Sequence, residues 1–122
     1  MPDIQREQIE SLEILGHVYF MQGRPREAGL VFHGLLSLKQ DNFCALKHLA
    51  ALALERGDGA EALRHLEKCA AVLDKERDPM PPPLLLMRAK ALRLAGREGE
   101  ARQAMSEYLN ACGLSGATKQ GE

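Results

Sequence analysis

Apolar residues recur along this chain at spacings of three and four, and glycine or proline interrupts them at regular intervals. Leu12, Leu15 and Tyr19 fall at i, i+3 and i+7, one stripe of an α-helix. Gly23 closes that helix, as a residue tolerant of positive φ should, and Pro25 suits the first position of the next. Ala28, Phe32, Leu35 and Leu36 form the second stripe. Asn42 then reads as an N-cap before a third stripe of Leu46, Leu49 and Ala53. Gly57-Asp58 closes that helix and opens another, with Asp58 and Glu61 spaced as a capping-box variant. Ala62, Leu66 and Cys69 form its stripe.

The pattern repeats. Leu12, Leu15, Gly23, Ala28 and Phe32 return 34 residues later as Leu46, Leu49, Gly57, Ala62 and Leu66. A third copy, Leu85, Ala89, Gly96, Ala101 and Met105, keeps the internal spacing but follows the second by 39. The units therefore run over about 9–42, 43–76 and 82–115 of a single domain at 1–115, with a Pro-rich insert at 77–83. Prolines 79, 81, 82 and 83 rule out helix interior there, and Pro83 suits the start of a helix from Leu84 to Ala95. The insert reads as a stiff spacer or as a wall of the third unit. Residues 116–122, polar and short, are expected to be disordered. Met105, Tyr108 and Leu109 on the last helix call for a cover, either a second copy or a partner.

Two antiparallel helices per 34 residues resemble the tetratricopeptide repeat, which Leu12, Leu15-Gly16, Tyr19, Ala28 and Phe32 match in the first unit. Leu35 stands where a small residue is usual, Gln40 where a proline is common, and Arg88 at a position that is normally apolar. The resemblance implies an all-α fold of three helix-turn-helix repeats in a short right-handed solenoid. It also implies a concave face built by the first helix of each unit. Rotation from the core stripe selects Glu13, His17, Phe20 and Met21 for that face in unit one. Lys47, Ala51 and Leu54 follow in unit two, and Leu86, Lys90 and Arg93 in unit three. Such a mixture suits an amphipathic helix or an extended apolar peptide. The family's clamp for acidic chaperone tails needs Lys, Asn and Arg where this chain has Glu13, His17, His48, Pro83 and Met87, so that function is set aside.

Composition narrows the reading. Of the 122 residues, 45% are hydrophobic and 27% charged, and the net charge of -1 gives no basic excess for nucleic acid or a membrane surface. No apolar run is long enough for a membrane span, and the first residues do not read as a secretory signal. Cys44, Cys69 and Cys112 are odd in number and far apart, which fits a reducing cytoplasm. His17, His33, His48 and His65 lack the short spacing of a metal site, and no nucleophile or phosphate motif occurs. No enzyme activity, cofactor or metal is expected.

The arrangement also resembles the small cytoplasmic chaperones of bacterial type III secretion, most closely the YscY type. The similar segments are Leu15-Gly16-His17-Val18-Tyr19 with Gly23 and Glu27-Ala28, and Arg88-Ala89-Lys90-Ala91-Leu92 with Gly96-Arg97 and Tyr108-Leu109. That resemblance implies a small secreted partner of the YscX type, contact with the export gate, and possible homodimers when the partner is absent. The alternatives are a chaperone for a needle subunit or translocator, and a general repeat adapter or scaffold. On the groove reading, Leu54→Glu is expected to abolish the complex while helicity survives.

Overall fold

The computed structural model describes residues 2–114. Six α-helices follow one another: α1 (Pro2–Met21), α2 (Pro25–Leu38), α3 (Phe43–Glu55), α4 (Gly59–Lys75), α5 (Pro82–Leu94) and α6 (Glu98–Ala111). They pack as three pairs, α1 with α2, α3 with α4 and α5 with α6. The first helices of successive pairs come close in backbone, whereas the backbones of α2 and α4, and of α4 and α6, stay further apart and meet only through side chains among the described residues. The fold is an all-α helical repeat solenoid with α1, α3 and α5 on its inner row. The segment 116–122, expected to be disordered, lies outside the described residues.

Turn chemistry explains the regular pairing. Gly23, Gly57 and Gly96 take φ of 71°, 78° and 79°, in the left-handed region that side chains disfavour. Each lets the chain fold back: Arg24, Asp58 and Arg97 donate their amides to the carbonyls of Tyr19, Ala53 and Leu92 at 2.8–2.9 Å. The end of α4 uses the same geometry without glycine. Asp78 N bonds Leu73 O at 2.9 Å, and Arg77 sits at φ 57°. The opening caps are side-chain made where the sequence placed them. Asn42 Oδ1 accepts from Ala45 N at 2.8 Å, and Asp58 Oδ1 from Glu61 N at 3.0 Å.

Two apolar clusters share α3. Ala45, Leu49 and Leu52 on one side pack with Ala28, Phe32 and Leu35 of α2. On the other side Leu46, Ala50 and Ala53 pack with Ala62, Leu66 and Cys69 of α4 and with the third pair. This double duty is why α3 is apolar over most of its circumference. Two glycines sit where neighbouring helices leave no room for a side chain. A Cβ on Gly16 would lie 2.6 Å from the end of the Phe32 ring. A Cβ on Gly59 would lie 2.5 Å from the backbone oxygen of Ala91, which brings the start of α4 against the end of α5.

Three expectations need correction, and one departure from the repeat pattern finds its reason. Leu15, placed in the first core stripe, is 41% exposed, whereas its repeat equivalent Leu49 is 2% exposed. Leu49 is covered by α2 of the pair before it, and no described pair precedes α1. Helix α1 begins at Pro2, well before residue 9. Pro82, assigned to the insert, is the first residue of α5, with Pro81 as its N-cap. Arg88, out of place by repeat pattern, bonds Glu107 Oε1 of α6 at 2.7 Å, so the half-buried position tolerates its charge.

Replacing Arg77 by glycine should raise stability by about 1 kcal/mol in urea unfolding, because the left-handed conformation then carries no Cβ penalty. Gly59→Ala should lower it by about 1–3 kcal/mol, since the obstacle is backbone and cannot rotate away. An unchanged urea midpoint for Gly59→Ala would show that α4 and α5 are not held at this separation.

Candidate functional site: the inner helix row

The expected partner-binding residues fall into three places along the inner helices. In the first, between α1 and α3, Glu13 accepts a hydrogen bond from Asn42 Nδ2 at 2.8 Å, tying α1 to the cap of α3. His17 and Phe20 converge on His48 of α3, with ring centroids 5.5 and 5.1 Å away and both edge-on. Met21 projects outward, 69% exposed. In the second place, Lys47 is exposed with Nζ 5.9 Å above the Phe43 ring, and Ala51 is half-buried beside it on α3. Leu54 packs into the core cluster shared by the second and third pairs. In the third place, Lys90 and Arg93 border a hollow of about 310 Å³ with Ala89, Leu94, Ala101 and Met105. Leu86 is half-buried on α5 nearby.

His48 is the residue that sequence reasoning missed. By spacing alone it is one of four scattered histidines and one position of an absent clamp. In the structure its ring stacks on Phe32, centroids 4.5 Å apart and planes 18° from parallel, and it is 8% exposed. Its Nδ1 donates to Cys44 O at 2.7 Å. Nε2 is then the acceptor, and His17 Nδ1 donates to it at 3.3 Å. Burial pushes the His48 pKa below its usual value; the Cys44 carbonyl opposes this, and Lys47 and His17 add to it. The one available signal was position: His48 repeats Ile14 and precedes Met87 in the third unit, an otherwise apolar register.

A second buried histidine lies on α4. His65 is 6% exposed, and neither ring nitrogen has a hydrogen-bond partner. Burial lowers its pKa, Glu61 opposes the shift from 3.9 Å, and Arg64, Lys68 and His33 reinforce it. Burial also pushes the Cys69 thiol up to about 11 and raises that of Cys44, so both sulfurs stay protonated near neutrality. Among the described residues no three His, Cys, Asp or Glu side chains group as a metal site. No described helix is long and apolar enough to cross a membrane.

A larger hollow of about 590 Å³ lies away from the inner row. It has Leu36, Leu46 and Val72 in its wall and Asp41, Lys68 and Lys75 at its edge. Its spacing signal, Lys68 and Lys75 two turns apart on α4, was present in the sequence but had no counterpart in the other units.

A family model described as tetratricopeptide repeat matches residues 48–68 and 82–107. These segments fall on α3–α4 and α5–α6, the second and third pairs. No curated protein matches the chain significantly. The match, together with six helices in three pairs, supports a tetratricopeptide-repeat protein, and such repeats serve protein–protein contact.

Neutral histidines in the fold make stability depend on pH. The unfolded chain binds protons at the ordinary histidine pKa of 6.5, whereas the lowered values of His48 and His65 keep the folded chain neutral further down. Stability should therefore be complete above pH 6.5 and fall as pH drops below it, by at most about 1.4 kcal/mol per pH unit for each histidine. Urea midpoints at several pH values would measure this, and His48→Phe should reduce the dependence to the part that His65 contributes. A wild-type midpoint that is flat below pH 6.5 would contradict the assignment.

Proposed function

We propose that this chain is a non-catalytic chaperone that holds a small export substrate or apparatus component of a type III secretion system along its inner helix row. The supporting observation is the chemistry of that row. Ala51 provides a small floor between longer side chains, and Lys47, Lys90 and Arg93 stand exposed around it. Glu13 is held by Asn42 and keeps its charge, but Lys47, Lys90 and Arg93 outnumber it, so these residues together are net positive although the chain as a whole carries -1. A client segment with an apolar stripe and acidic flanks would be shielded from water on the floor and oriented by the cations. The likeness to the YscY type supports a YscX-like client, with the export gate as the destination of the pair. It also supports action in the bacterial cytoplasm.

The structure changes the choice of test. Leu54 belongs to the core cluster, so Leu54→Glu would bury a charge and damage the fold along with the binding. Ala51 is the better position, because its equivalents His17 and Lys90 are long and exposed. Tagged protein in the cytoplasm of its own organism should capture one small secreted protein in stoichiometric amount. Ala51→Glu combined with Lys47→Glu should weaken that complex by at least about tenfold, with thermal unfolding unchanged. Equal capture by the variant would reject the inner row as the binding face. A spread of unrelated partners would favour a general adapter.

A further inference from the structure

Each inner helix after the first places one side chain in the hollow of the pair before it. His48 of α3 does so in the first pair, stacked on Phe32 and edged by Phe20. Met87 of α5, its repeat equivalent, packs in the cluster that contains Ala50, Ala62 and Leu66 of the second pair. The third pair has the same hollow, lined by the equivalents Ala89, Ala101 and Met105 with Lys90, Arg93 and Leu94. It has a volume of about 310 Å³, and no described residue plugs it.

The matching plug is at the other end of the chain. Ile14 of α1 occupies the register of His48 and Met87 and is 66% exposed. Leu15 and Val18 beside it are each 41% exposed, whereas Leu49 and Leu52, which repeat them, are each 2% exposed against α2. The described structure thus carries an unfilled socket at one end and an unused plug of the same register at the other. We infer that copies of this chain associate head to tail, with Ile14 of one copy entering the hollow between α5 and α6 of the next.

A second copy fits better than other occupants for two reasons. The contact would continue an interface that the chain already makes twice within itself. The charges also agree. Glu7 and Glu10 are exposed two turns and one turn before Ile14 on the same face, and Lys90 and Arg93 rim the socket. Cys44, which repeats Glu10, feels the charge of Glu13 in the first pair. The third-pair equivalent of Glu13 is Leu86, one turn from Lys90, so Glu10 of the incoming copy would arrive beside that lysine. Such an interface joins two different surfaces, so association would not stop at a dimer unless the arrangement closes into a ring.

Sedimentation of the full chain across micromolar to submillimolar concentrations tests this. The wild type should gain mass with concentration beyond a dimer. Ile14→Glu and the double variant Lys90→Glu, Arg93→Glu should each weaken association by about tenfold or more, with unchanged helicity and melting because all three side chains are exposed. An equal mixture of the two variants retains one intact plug and one intact socket, and should give a dimer that grows no further. A wild type that is monomeric throughout would overturn the inference. So would a dimer unaffected by Ile14→Glu, or a mixture that does not associate.

Discussion

The solenoid depends on one contact made repeatedly, a side chain from each inner helix inserted into the hollow between the two helices of the preceding pair. Helices of 13 to 17 residues, such as α2 to α6, are marginal alone, so their stability has to come from packing. The hollow exists because its floor is small: Gly16 and Ala28 in the first pair, Ala50 and Ala62 in the second, Ala89 and Ala101 in the third. A larger residue at any of these would close the seat that orients the next pair. The glycine turns serve the same end. They return each outer helix along its inner partner, so that a hollow is formed at the same place in every unit.

The two internal interfaces meet this constraint with different chemistry. Between the first and second pairs the plug is an imidazole, held by stacking on Phe32 and by hydrogen bonds to Cys44 and His17. Between the second and third the plug is Met87, and Gly59 brings the backbones of α4 and α5 together. An aliphatic seat tolerates pH, whereas a buried imidazole holds only in its neutral form. Surface pairs such as Arg24–Glu27 and Arg97–Glu100 recur at the starts of α2 and α6. They are solvent-exposed and contribute little beyond placing Glu27 and Glu100 favourably in the first helical turns.

Function on such a scaffold is a matter of which side chains the packing leaves free. Position 17 and its equivalents 51 and 90 face the open side of the inner row; Ala51 and Lys90 hold no buried partner among the described residues, whereas His17 also bonds the buried His48. Phe20 and Leu54 sit one turn further along and are half taken up by the interfaces. A ligand therefore meets a face in which cations are free, the larger apolar groups are partly engaged, and the acidic Glu13 is occupied.

Much of this protein could be read from local chemistry. The stripes of α2, α3 and α4, the caps at Asn42 and Asp58, and the turns at Gly23, Gly57 and Gly96 all follow from helical periodicity and from φ requirements that act within a few residues. The sequence by itself therefore determined the helices, the repeat and the all-α class. Only the tertiary structure decided what each position of the repeat encounters. Leu15 and Leu49 share a register, yet one is exposed and the other covered, because burial depends on whether another pair lies alongside. His48 looked like one of several scattered histidines until α1, α2 and α3 closed around it. Leu54 looked like groove and proved to be half core. Periodicity states which way a side chain points from its own helix, and only the docking of helix pairs states what stands there to meet it.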